Sequence, residues 1–113
     1  MADTEFWMAL QELVQSARLI LDRPRGTSHP RYPEMVYPLD YGYLEGTTSV
    51  DGNEIDVWAG SLDRKAVTGA VATVDLVKRD TELKILLGCS KQEMETIREF
   101  HNSGLMKALL IER

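Results

Sequence analysis

Between residues 51 and 56 the chain reads Asp51-Gly52-Asn53-Glu54-Ile55-Asp56, oxygen-bearing side chains gathered around a glycine. Asp51 and Asn53 are two apart and so face the same way in an extended chain. Gly52 lets the backbone bend them towards Asp56. Clustered carboxylates repel one another, and a hard divalent cation makes such a cluster tolerable. Mg²⁺ suits it, with Mn²⁺ the alternative, because Mg²⁺ takes one or two carboxylates and keeps several waters. An EF-hand loop also begins Asp-x-Asn, but here the fifth position is Ile55, the sixth is Asp56 where glycine is required, and the twelfth is Leu62. The same residues equally suit an Asp-Gly hairpin turn with a solvated acidic rim.

A second set is Tyr37-Pro38-Leu39-Asp40-Tyr41-Gly42-Tyr43, preceded by Arg31 and Tyr32. Tyr41 and Tyr43 share a strand face, Gly42 admits a close backbone neighbour, and tyrosine hydroxyls can donate to phosphate oxygens without adding charge. Packing of a small β core would use the same tyrosines. A third set is Asp75, Asp80, Glu82 and Lys84. Glu82 and Lys84 alternate with Leu83 and Ile85, so both project from one face, either as a solvated ion pair or as a metal ligand beside a phosphate anchor. His29 and His101 are too isolated for a metal site and read as surface or capping residues. Cys89 sits beside a helix start, where thiol pKa falls, with no identifiable base. Phosphate-loop, dinucleotide-binding and nucleophile-elbow motifs are absent from the sequence.

The elements that must position these groups begin with a helix over residues 4–17, with Phe6, Leu10, Leu13, Val14 and Ala17 on its apolar stripe and Asp3 or Thr4 as cap. Residues 18–23 read as a strand. The stretch from Pro24 to Gly52 holds all 4 prolines and reads as turns and short strands. Strands follow at 54–60, 66–78 and 82–88, with KRDTE as a hairpin tip. Ser90 and Glu93 form a capping box for a helix from Lys91 to about Asn102, stopped by Gly104. Residues 105–111 suit a last strand, in which an exposed Leu109–Ile111 would signal self-association into a homo-oligomer. Alternating β-α units are missing, so the predicted class is α+β with a small barrel-like sheet.

The 113 residues carry 13 Lys+Arg against 18 Asp+Glu, a net charge of −5. One domain over 1–113 is expected, since so short a chain builds one core. The acidic balance argues against nucleic acid or an anionic membrane as partner, so an anionic ligand needs local cations or bound metal. A single cysteine excludes a disulfide framework and suits a reducing cytosol. No apolar run is long enough to span a bilayer, and MADTEFW is acidic where a secretory signal is basic. A soluble cytoplasmic protein is expected.

Taken in order, these pieces resemble the family I soluble inorganic pyrophosphatases. YPLDYGYLEGTTSVDGNEIDVW (37–58) is similar to that family's Y-P-x-N-Y-G-[FY]-[IL]-x-x-T…D-G-D-P-x-D-[VA] core in order and spacing. Asp22-Arg23-Pro24-x-Gly26-Thr27 resembles its E-I-P-x-G-S. Arg31-Tyr32 resembles its K-Y, and Asp75 with Glu82-Leu83-Lys84 resembles its metal-binding Asp and D-x-K. The resemblance implies a closed OB-like β-barrel flanked by an N-terminal and a C-terminal helix, and Mg²⁺-dependent hydrolysis of pyrophosphate to two phosphates. It implies Asp51 and Asp56 as ligands of the activating metals, and Asn53 at the position of the base. Asp75 and either Asp80 or Glu82 would hold metals bridging to substrate; Arg31, Tyr37, Tyr41 and Lys84 would hold phosphates, and Asp22 lies outside them.

The departures from that pattern set further expectations. An amide at Asn53 cannot accept a proton from water, which lowers turnover, while Glu54, in place of the family's proline, is positioned to supply the lost carboxylate. The segment between Tyr32 and Tyr37 is short, and the C-terminal helix lacks the family's Tyr-Lys clamp. Two alternatives accompany hydrolysis of pyrophosphate: a non-catalytic module that binds phosphoanions or a partner, and a hydrolase of another phosphoanhydride.

Overall fold

The structure is a computed structural model that describes residues 2–113. Helix α1 (Ala2–Gln15) leads into β1 (Arg18–Arg23), β2 (Asp40–Glu45), β3 (Ile55–Ala59), β4 (Val67–Asp75) and β5 (Asp80–Leu87), then α2 (Lys91–Phe100) and β6 (Met106–Glu112). The strands form one sheet in the order β1-β2-β3-β5-β4-β6, antiparallel except at the β3–β5 pair. This is the expected α+β class. The sheet stays open, however, because its edges β1 and β6 do not pair with each other. Helix α2 and the proline-rich segment fill that side: Met94, Ile97, Tyr37 and Leu39 are buried against Trp58, Val71 and Leu86 of the sheet. Burial of those apolar groups replaces the strand pairing that would have completed a barrel.

Strand alternation gives the sheet two apolar faces, as its near-continuous Val, Ile and Leu content requires. One face packs under α2. The other, with Leu44, Val57, Val67, Ile85 and Leu87, packs against Val14 of α1. The stripe of α1 is turned by one residue from the expected one. Trp7, Leu10, Val14 and Ala17 pack inward, whereas Phe6 (49% exposed) and Leu13 (37%) remain largely outside. Asp3 and Thr4 lie within the first turn of α1 and not ahead of it. Ser16 and Ala17 have left the helix to close the turn into β1, donating to the carbonyls of Glu12 and Val14. The capping box of α2 is formed as expected, with Glu93 N donating to Ser90 Oγ (3.1 Å) and Ser90 N donating to Glu93 Oε1 (2.8 Å).

Gly42 has a packing role on β2. A Cβ there would lie 1.8 Å from the carbonyl oxygen of Ile20 on β1, so only glycine permits that approach. On edge strand β6, Leu109 is 65% exposed and Ile111 37%. Among the described residues no helix is long and apolar enough to cross a membrane.

Candidate functional site

Tyr41 and Tyr43 pair with Trp58 and Asp56 across β2–β3, and Lys84 pairs with Val71 across β4–β5. This register puts Tyr41, Asp56, Trp58, Glu82 and Lys84 on the concave face under α2. Of these, Tyr41, Asp56, Glu82 and Lys84 border a cleft of about 490 Å³, with Trp58 buried beneath it.

Lys84 is the centre of the cleft. Its Nζ donates to Tyr41 Oη at 2.8 Å and to Asp56 Oδ2 at 3.3 Å, and it lies 3.1 Å from Glu82 Oε2. Tyr41 Oη in turn donates to Asp56 Oδ2 at 2.7 Å. The Lys84 side chain is only 8% exposed, so the pair that looked solvated from strand alternation is an internal one. Burial raises the Glu82 carboxyl above its ordinary range. Lys84 opposes that rise, and a hydrogen bond shared with Asp56 adds to it. Tyr41 is held firmly in its protonated form, first by burial and then by the Asp56 charge. At the side of this cluster Arg23 donates to Tyr37 Oη, and its guanidinium lies 5.5 Å from the Tyr37 ring centroid.

The other expected site residues divide by place. Asp22, Asp75 and Asp80 line the cleft with Tyr37. Asp75 Oδ1 accepts from the backbone N–H groups of Val77 (2.9 Å) and Lys78 (3.1 Å), fixing the β4–β5 turn. Asp51, Asn53 and Glu54 are exposed and border no part of the cleft. They form the β2–β3 hairpin loop, the turn reading of this stretch. Asp51 accepts from the Ser49 hydroxyl and from Asn53 N, contacts that hold its carboxyl below the usual range. Arg31 is exposed and likewise outside the lining. Arg23 stands in the cleft, eight residues earlier, because β1 runs along the sheet edge there. Cys89 is buried, and that burial, with Glu93 nearby, pushes its thiol up to about 12, the reverse of the helix-start expectation.

His101 is neither a surface residue nor isolated. It is 5% exposed, caps the C-terminus of α2 and borders the cleft. Trp58 Nε1 donates to its Nε2 at 3.0 Å. An indole N–H can only donate, so Nε2 is the bare nitrogen and Nδ1 carries the ring proton. Burial, helped by Lys84, pushes the His101 pKa down to about 3. Its unfolded value lies near 6.5, so as pH falls the unfolded chain takes up the proton first. Stability present above pH 6.5 is therefore lost progressively towards pH 3, at up to about 1.4 kcal/mol per pH unit. In thermal melts from pH 7 to pH 4.5, His101→Gln keeps an acceptor for Trp58 but cannot be protonated, and is expected to show a shallower decline than wild type. Equal declines in the two forms would remove His101 as the source.

Cationic and hydroxyl donors set among carboxylates, on the concave face of a curled sheet, define a small OB-like α+β domain whose cleft suits a charged, oxygen-rich ligand. Comparison with known proteins narrows this. Residues 14–78, more than half of the chain, match the family described as inorganic pyrophosphatase, and the chain belongs to that family. The structure resembles an inorganic pyrophosphatase from Neisseria gonorrhoeae at a TM-score of 0.66 and 18% identity, covering 83% of this chain and 80% of the other. It resembles those of Helicobacter pylori (TM-score 0.56, 13% identity, 83% and 81% covered) and Coxiella burnetii (0.54, 14%, 83% and 82%). At such identities the likeness is one of fold. No curated protein matches. Glu82 and Lys84 lie beyond the matched stretch, so their place in the cleft comes from geometry alone.

The family implies a divalent cation. Among the described residues, no group of three or more His, Cys, Asp or Glu side chains is gathered closely enough to hold one. Mg²⁺ does not require such a group, since it commonly binds through one or two carboxylates, several waters and the oxygens of a phosphorylated substrate. Asp56 and Glu82, hard oxygen donors facing each other in the cleft, fit that requirement.

Proposed function

We propose that this protein hydrolyses inorganic pyrophosphate to two phosphates in the cytosol, with Mg²⁺ or Mn²⁺, and with low turnover. The observation that carries the proposal is the placement of Lys84 at the base of the cleft, in reach of Tyr41, Asp56 and Glu82. Lys84 and Arg23 supply charge for the phosphate oxygens, and His101 Nδ1 adds a neutral donor. Asp56 and Glu82 are the residues that would hold the cation. When bound, it supplies charge neutralisation and Lewis acidity. Tyr41, kept protonated, holds Asp56 in place by donating to its Oδ2. Low turnover follows from the hairpin loop, which leaves Asp51, Asn53 and Glu54 outside the cleft, where none can serve as a base. Loss of a base typically costs about 10²–10⁴-fold.

That same loop favours a second reading, a domain that binds phosphoanions without turnover. Phosphate release from pyrophosphate with Mg²⁺ or Mn²⁺, measured beside calorimetric binding, separates the two. Release is expected to exceed that of an Asp51→Ala/Asp56→Ala double variant, and Asn53→Asp, outside the cleft, is expected to leave it unchanged. Binding with release no faster than in the double variant would establish the non-catalytic reading.

A further inference from the structure

The cleft extends well past its charged cluster. At about 490 Å³ it falls within the roughly 300–1,000 Å³ of sites that enclose drug-sized ligands, whereas pyrophosphate is small and polar throughout. A ladder of rings leads outward from Lys84. Tyr41 lies 5.4 Å from Tyr37, Tyr37 6.3 Å from His29, and His29 5.2 Å from Tyr32, each measured between centroids. The last ring, Tyr32, is 47% exposed. The β4–β5 turn and the loop before β6 form another part of the rim, tied where Leu76 N donates to Leu105 O at 3.1 Å. There Val77 is 73% exposed and Leu105 56%. This rim lies beyond Asp80, itself four residues along β5 from Lys84, roughly 13 Å at about 3.3 Å per residue. An inorganic ion held at Lys84 would leave these apolar groups wet, and exposed apolar surface beside a polar pocket marks a place for an apolar part of a ligand.

Resting on the phosphoanion reading of the cleft, we propose that the preferred substrate is a diphosphate esterified to an organic group, with the diphosphate at Lys84 and Arg23 and the organic group along the ring ladder. Water adds its oxygen to the terminal phosphorus and the bridging P–O bond breaks on the side of that phosphorus. Inorganic phosphate and the organic monophosphate leave, and one proton passes to solvent. Nucleoside and prenyl diphosphates share this chemistry.

The test titrates the full chain, with Mg²⁺, with pyrophosphate, ADP, UDP and geranyl diphosphate, reading binding by calorimetry and phosphate release. At least one ester is expected to bind tenfold or more tightly than pyrophosphate, the nucleotides if the ladder stacks on a base and geranyl diphosphate if it covers a hydrocarbon. Tyr32→Ala, at an exposed position, is expected to lower the ester-to-pyrophosphate affinity ratio by roughly 5- to 100-fold. Pyrophosphate binding at least as tightly as every ester, or a ratio unmoved by Tyr32→Ala, would overturn the proposal while leaving pyrophosphate hydrolysis intact. Binding of none of the four would remove the phosphoanion reading as well.

Discussion

Lys84→Met is expected to abolish phosphate release and to lower the melting temperature by roughly 10 °C. The buried ammonium is the shared partner of Asp56 and Glu82. Without it, two carboxyl groups face each other in a cleft where burial already raises one of them. Deleting one member of a buried ion pair costs about 3–5 kcal/mol. The two carboxylates here keep 33% side-chain exposure each, so water relieves part of the penalty and about 2–3 kcal/mol is expected. Activity should fall by at least about 10²-fold, as when a preorganised donor to developing charge is removed. Adding Glu82→Gln to Lys84→Met relieves the repulsion and should restore most of the melting temperature but none of the activity. A single Lys84→Met variant that melts and turns over like wild type would refute this account of the cleft.

The second large effect is expected at Gly42. Alanine there would bring Cβ to 1.8 Å from the Ile20 carbonyl oxygen, and the obstacle is backbone that no rotamer change can move. Overpacking costs about 1–3 kcal/mol when side chains can adjust. Here at least the upper end of that range is expected. β1 is an edge strand held by β2 alone, so the strain is relieved by its separation. Asp22 and Arg23 leave the cleft with it. Faster exchange of the β1 amides bonded to β2 should accompany the loss of stability. Melting within a degree or two of wild type would contradict the crowding.

Local chemistry made much of the fold legible. The Ser90–Glu93 capping box opens α2 where the sequence places it, and residues 18–23 form β1 with the expected bounds. Strand alternation put Glu82 and Lys84 on one face. It could not tell that Trp58, Tyr41 and α2 close over that face and turn an apparent surface pair inward. Arg31 and Arg23 were equally basic in sequence. The choice between them is made by β1 lying on the sheet edge and by the hydroxyl of Tyr37, 14 residues away. His101 read as a surface or capping residue, and its partner Trp58 lies 43 residues earlier, beyond any local pattern. At Asp51–Asp56 the sequence allowed two outcomes. The Ser49 and Asn53 contacts select a hairpin loop, and the strand that follows carries Asp56 alone into the cleft.

The parallel β3–β5 pair has a kinetic consequence. Tyr41 and Asp56 belong to the β2–β3 hairpin, while Glu82 and Lys84 belong to the β4–β5 hairpin. Each hairpin closes a short loop and can form in about 1–10 μs. Their seam joins distant parts of the chain and is expected to zip more slowly. In a Trp7→Phe background, the emission of Trp58, which sits on that seam, should recover after amide protection within either hairpin. Simultaneous recovery would contradict that order. A nascent or partly refolded chain thus exposes Lys84 to water, and becomes competent for its ligand only as the last two edges meet.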